Sequence, residues 1–165
     1  MKVALIESSK TAGHAGRGVG VYTENLKKYL PQLGVELVSP NENPDLLHFP
    51  QWDCLSFDWL KLSSSIPKVL TIHDVIPLEF PDHYPLGIKA SFNLPIQKIL
   101  LNQAKFIITD SMASVRSLHK YLNIPNSYNY YQVIIKNIRR KTKNENEKKI
   151  SINCFSRSYD NIWMQ

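Results

Sequence analysis

The stretch KVLTIHDVIPLEFP, Lys68 to Pro81, decides how this chain is read. It opens on Val69, Leu70, Thr71 and Ile72, an apolar and β-branched run with no polar alternation. A strand solvated on one face alternates, whereas a strand covered on both faces of a parallel sheet does not. The run ends on His73 and Asp74, two polar side chains at the carboxyl end of a buried strand. Ligands of open α/β sheets sit in the crevice beyond those ends. His73 and Asp74 are therefore the first candidate site residues.

Downstream, VIPLEFPDHYP holds three prolines in eleven residues, a spacing that predicts an ordered loop over the crevice with no regular structure. Its Glu79, Asp82, His83 and Tyr84 either contact a polyhydroxylated acceptor or form a solvated loop edge. From Leu86 to Gln103 the apolar residues Ile88, Phe92, Ile96, Ile99 and Leu100 recur at helical spacing, with Pro95 expected to kink or split the helix. Ala104 to Thr109 reads as another buried strand, ending in Asp110 and Ser111. Ser111 is suited to cap a helix over Met112 to Leu122, whose inward stripe is Val115, Leu118 and Leu122. Capping is sufficient reason for the serine, and the same hydroxyl is also placed to touch a ligand.

Upstream, Gln51 to Leu62 carries Trp52, Phe57 and Trp59 in a loop with a short helical turn, and DLLHFP, Asp45 to Pro50, reads as a strand ending at His48. His48 occupies the same kind of place as His73, either as a hydrogen-bonded structural residue or as a ligand contact. Gly34 to Ser39 is a short strand, and Val3 to Ile6 is the first. Between them a loop with Gly13, Gly16, Gly18 and Gly20 leads into a helix patterned by Val21, Leu26, Tyr29 and Leu30 and stopped by Pro31. Strand, Gly-rich loop and helix N-terminus together suit the close approach of an anion to backbone amides. The alternative is a loop that merely connects strand to helix; likewise, Arg17 either steers an anion or is solvated. GRGVG is not the dinucleotide fingerprint, since it spells G-x-G-x-G and no acidic residue follows in the expected place.

Composition sets outer limits. At 165 residues, 43% hydrophobic and 21% charged, the chain has ordinary globular content for one well-cored domain. The net charge of +6 is uneven: residues 1–125 carry 12 Lys and Arg against 11 Asp and Glu, and residues 126–165 carry 8 against 3. The globular part is nearly neutral, and no nucleic-acid partner is expected of it. Residues 126–165 are rich in Asn, Lys and Tyr; Gln132 to Ile135 alone looks like a strand, and Lys136 to Lys149 reads as a linker or a disordered tail. Cys54 and Cys154 match neither a redox pair nor a zinc spacing, which suggests reduced thiols, with a disulfide as the alternative. MKVALIES is too short for a signal sequence or a membrane span.

Four pieces in order, GRGVGVYTENL at 16–26, DLLHFP at 45–50, VLTIHDVIPLEFPDHYP at 69–85 and AKFIITDSMASVRSLHKYLNIP at 104–125, resemble the N-terminal half of a family-four retaining glycosyltransferase. The resemblance implies an α/β fold, a Rossmann-like parallel sheet with helices on both faces, forming the N-terminal half of a GT-B fold over residues 1–125. It implies that this half holds mainly the acceptor, a glycan or lipid-linked acceptor. The donor is then a nucleotide sugar, taken as substrate without a metal or other cofactor. By resemblance Gly16, Gly18 and Gly20 lie near the donor diphosphate and the transferred sugar, and Arg17 and Tyr22 are counted with them as substrate-binding candidates. His73 is the catalytic candidate, orienting sugar or acceptor rather than attacking it; His48, Asp74 and Ser111 complete the binding candidates. The HDVIPLEFP wording leans toward mannosyl- or related transferases that build surface polysaccharide.

Residues 126–165 match no part of the family pattern, so a divergent basic tail and a truncated or frame-shifted reading frame lacking the donor domain are expected, with little activity from the chain alone. A nucleotide sugar would then bind only with a donor domain. The expected location is cytoplasmic, with peripheral contact at the inner face of the membrane, and the exposed inter-domain face could drive self-association. Two other readings compete: a non-catalytic carbohydrate- or phosphate-binding Rossmann-like module, and a small anion-regulated interaction protein whose tail docks on membrane or nucleic acid.

Overall fold

A computed structural model describes residues 1–7, 18–52, 65–124 and 130–132. In chain order the elements are β1 (Lys2–Leu5), α1 (Gly18–Tyr29), β2 (Glu36–Leu37), β3 (Leu46–Phe49), β4 (Lys68–Thr71), α2 (Ile76–Glu79), α3 (Ile88–Leu101), β5 (Phe106–Thr109), α4 (Met112–Leu122) and β6 (Tyr130–Gln132). All six strands form one sheet in the order β2-β1-β3-β4-β5-β6, and every pairing is parallel. The order reverses at β1, from which the chain steps to β2 on one side while β3 to β6 build outward on the other. A topological switch point of this kind opens a crevice at the carboxyl ends of the central strands.

Two cores explain the unbroken apolar strands. Val3, Leu46, Val69, Phe106 and Ile108 face α1 and pack with its Tyr22 and Leu26 and with Leu30 just beyond it. Ala4, Leu47, Leu70, Ile72 and Ile107 face the other way, onto Leu101 of α3 and Leu118 and Leu122 of α4. Strand residues alternate between faces, so each strand needs apolar side chains at odd and even positions alike. This is the α/β, Rossmann-like architecture with helices on both faces.

Local chemistry sets the element ends. Leu30 and Pro31 follow α1, and a 3-10 turn over Pro31–Leu33 closes on Gly34, whose φ of 79° is the left-handed conformation that glycine adopts without strain. Asn123 ends α4 in the same conformation, at φ 54°.

Four details depart from the sequence reading. The second strand is only Glu36–Leu37. The proline-rich loop contains one helical turn, Ile76–Glu79, because Pro77 sits in the first turn, where a missing N–H costs no bond. Helix α3 runs through Pro95 without being split; the carbonyl left without its donor belongs to exposed Ser91 and is open to water. Among the described residues the strand farthest along the chain is Tyr130–Gln132, which begins two residues before the expected Gln132–Ile135 and extends the sheet past residue 125; residues 133–135 lie outside the described residues. The helical turn expected within residues 53–62 and the basic run 136–149 lie outside the described residues.

Candidate functional site

Side-chain parity assembles the site. Val69 faces α1, so Thr71 and His73 beyond it project to the same side; in β5, Ile108 faces α1, as does Asp110 two residues on. The register pairs Thr71 with Ile108, which sets His73 beside Asp110. In β3, His48 pairs with Val69, so His48 and Pro50 join the same row. Three strand ends thus deliver His48, Thr71, His73 and Asp110 to one patch beneath the start of α1, and Tyr22 reaches into it.

The inner layer is a closed hydrogen-bond chain. His48 is fully buried, and its Nε2 lies 2.9 Å from Thr71 Oγ1. The same oxygen lies 3.0 Å from the Tyr22 hydroxyl. Burial pushes the Tyr22 phenol well above its ordinary range. Burial, together with the charge of His73, lowers His48 to about 3. His48 is therefore neutral at physiological pH and orders the strand ends from below, away from solvent.

His73 forms the outer layer. Its Nδ1 is 2.8 Å from Asp110 Oδ2 and its Nε2 is 3.1 Å from the carbonyl of Pro50. A carbonyl and an ionised carboxylate only accept, so both bonds form together only when both ring nitrogens carry hydrogen. That species is the imidazolium. Burial alone would lower its pKa, but the Asp110 carboxylate, the Pro50 carbonyl and the charge of Asp74 outweigh burial and raise it. The Tyr22 ring meets His73 edge-on, with ring centres 5.1 Å apart. In this geometry both ring nitrogens of His73 are engaged, and its 18% exposed side chain ties β3, β4 and β5 together.

The remaining candidates separate. Asp74 is exposed, and its Oδ1 accepts from the Ile76 amide at 3.1 Å, starting α2. Ser111 caps α4: its Oγ accepts from the Ser114 amide at 3.0 Å. Ser114 Oγ in turn donates to the His73 carbonyl at 3.1 Å. Replacing Ser111 with alanine should therefore cost about 1 kcal/mol, read as a lower urea midpoint with unchanged cooperativity. Gly18 opens α1, and among the described residues a methyl group placed on it would meet nothing within 4 Å. Gly18→Ala should leave stability unchanged or raise it by up to about 1 kcal/mol, so any loss of anion binding in that variant reports on ligand approach rather than on folding. Gly20 is buried inside α1. Gly16 and Arg17 lie outside the described residues. Among the described residues no group of three or more His, Cys, Asp or Glu side chains gathers where a cation could sit.

Asp110, Thr71 and Ser114 are the site residues that the sequence reading did not single out. Asp110 carried a signal, as the second acidic residue directly after a buried strand. Thr71 carried none, because a threonine inside a β-branched run reads as strand propensity.

A family model described as Glycosyltransferase Family 4 matches residues 38–128, more than half of the chain. The chain belongs to that family. No curated protein and no solved structure matches it. The family-four match covers β3 through α4 and so contains His48, Thr71, His73, Asp74, Asp110 and Ser111 together. The described sheet is accordingly the N-terminal Rossmann-like half of a GT-B glycosyltransferase architecture, with its strand-end crevice lined by the matched segments.

Proposed function

We propose that this family-four domain is the acceptor-side half of a retaining glycosyltransferase, which moves a sugar from a nucleotide-sugar donor to a glycan or lipid-linked glycan. The observation that carries the reading is that the family match covers the strand ends where the fold sets His73 against the Asp110 carboxylate beside the exposed Asp74. In this reading His73 is a positioning cation. Its two N–H groups are engaged by Asp110 and Pro50, so it acts on a sugar hydroxyl or a phosphate oxygen through its charge rather than through a hydrogen bond of its own. Asp74, exposed next to it, is available to accept from acceptor hydroxyls once its bond to the Ile76 amide is shared. Helix α1 directs its amide end toward the same region, which favours anionic groups there.

The donor diphosphate draws its main stabilisation from the facing half of the architecture, and stabilisation of developing charge is commonly the largest catalytic term. The nucleotide sugar is a substrate in this scheme, and no metal or cofactor is assigned. Among the described residues no helix is long and apolar enough to cross a membrane.

Calorimetric titration of glycan acceptors and nucleotide sugars into the wild-type chain and His73→Ala tests the reading. Glycan binding that weakens at least about tenfold in the variant, about 1.4 kcal/mol, is the expected result. Glycan binding indifferent to His73 would remove the crevice from the account. Tight nucleotide-sugar binding by this half alone would overturn the assignment of the donor to the facing half.

A further inference from the structure

One turn of chain, residues 110–114, holds His73 at both ends. Asp110 Oδ2 lies 2.8 Å from Nδ1 of its ring, and Ser114 Oγ donates to its main-chain carbonyl at 3.1 Å. The second contact falls where the sheet stops. Ile72 still donates to the Ile108 carbonyl at 2.9 Å, whereas no backbone amide of the described residues reaches the His73 carbonyl. A carbonyl in that place needs a donor, and α4 supplies one from a side chain.

The direction of the bonds follows from the hydrogens. A serine hydroxyl has one hydrogen to give, and that of Ser114 goes to His73. Across the 3.0 Å between the two serine oxygens, Ser111 must therefore donate and Ser114 accept. Ser111 Oγ in turn accepts from the Ser114 amide at 3.0 Å. The two serines thus divide the work: Ser111 caps the helix, and Ser114 reaches across to β4. One turn further along, Ser117 Oγ lies 3.3 Å from Glu79 Oε1, so α4 grips the segment 73–79 at its start and at its end.

His73 projects from the end of β4, but its carboxylate partner rides on the turn from β5 into α4. Their contact lasts only while these two pieces of backbone keep their relative places. Beyond the paired residues Thr71 and Ile108, the Ser114 hydroxyl ties the main chain of His73 to the body that carries Asp110. We infer that Ser114 is a positioning residue: by holding the His73 carbonyl it keeps the ring on Asp110, and thereby sets how firmly the crevice holds its acceptor. The last step rests on the acceptor reading above; the first does not.

A nitrogen-15 NMR titration of the histidine rings in wild type, Ser114→Ala, Ser114→Thr and Ser111→Ala tests it. The groups that face the His73 ring are the same in all four: Asp110 from β5, the Pro50 carbonyl and neutral His48 from β3, Tyr22 from α1, and Asp74 on its own segment. Ser114→Ala keeps the cap, because its amide still donates to Ser111, and alanine is the better helix former, so its melting temperature stays close to that of wild type. Its His73 nevertheless titrates at lower pH than in wild type, because burial, which opposes the charge, is less fully offset once the ring drifts from Asp110. Ser114→Thr keeps the hydroxyl and the wild-type midpoint. Ser111→Ala behaves in the opposite way to Ser114→Ala: it loses stability and leaves the midpoint in place. An unmoved midpoint in Ser114→Ala overturns the inference, as does an equal fall in Ser111→Ala or a fall that threonine does not reverse. Glycan titration of the same proteins keeps the two readings apart. Acceptor affinity lower by about threefold or more in Ser114→Ala supports both. A lowered midpoint with no glycan bound by any of the four leaves Ser114 its hold on His73 and removes the acceptor reading, and glycan binding with an unmoved midpoint sinks this inference alone.

Discussion

Acidification from pH 6.5 to pH 4 should cost the domain about 3 kcal/mol through His48 alone. The folded state holds this imidazole fully buried, hydrogen-bonded to Thr71 and next to the charge of His73, with its pKa lowered to about 3. In the unfolded chain the same group titrates near 6.5. A depressed folded value means that the stabilisation is complete above pH 6.5 and is lost as pH falls toward 3, at about 1.4 kcal/mol per unit. Against a total stability of about 5–15 kcal/mol for a domain, that is a large fraction. Urea melts at stepwise pH should show the slope, and His48→Gln, which keeps a hydrogen-bonding group near Thr71 but cannot be charged, should flatten it even though it costs stability at pH 7. Parallel slopes for the two proteins would show that His48 is not buried neutral.

Asp110→Asn should weaken glycan binding at least about tenfold, or about 1.4 kcal/mol, while leaving the domain folded. Asparagine still accepts from Nδ1 of His73 but no longer balances a positive charge, so burial, which already opposes that charge, takes over and the imidazole turns neutral. Neutral imidazole has one N–H, so it must release either the residue at 110 or the Pro50 carbonyl, and the tie across three strands loosens. The sign of the accompanying stability change is opposite to that of His48. A raised folded pKa contributes stability that is fully present below pH 6.5 and is lost as pH rises through the folded value. The variant should therefore be less stable than wild type at pH 6, by at most about 1 kcal/mol given that the Asp110 side chain is 44% exposed, and the deficit should shrink as pH rises. A deficit independent of pH would mean that Asp110 acts by packing rather than by charge.

The fold was readable because its signals are redundant. Runs such as Val69–Ile72 and Phe106–Thr109 lack alternation since both sheet faces are covered, and the stripe Val115, Leu118 and Leu122 is the buried face of α4. Prolines are weaker breakers here than their pattern suggests: Pro77 enters the first turn of α2, and Pro95 lies within α3. Helical spacing alone also left open which side of α3 is covered, since Ile88, Phe92 and Ile99 form as regular a stripe as Ala90, Leu94 and Leu101. In α1 the pattern included Val21, which is 49% exposed, whereas Tyr22 carries the contact with the site. His73 was legible as a strand-end residue, but its partners were not. Asp110 lies 37 positions away and meets His73 only through the β4–β5 register, and no local pattern encodes a register between distant strands.

The central claim is that a charged His73, held by Asp110 and Pro50, marks the place where this family-four domain holds its acceptor. Nitrogen-15 spectra of the histidine side chains at pH 6.5, recorded while a glycan acceptor is added, test it most directly. His73 is expected to carry hydrogen on both ring nitrogens in most molecules and to shift along the same saturation curve as glycan binding. A neutral His73, or one whose signals stay fixed while the glycan binds, would contradict it.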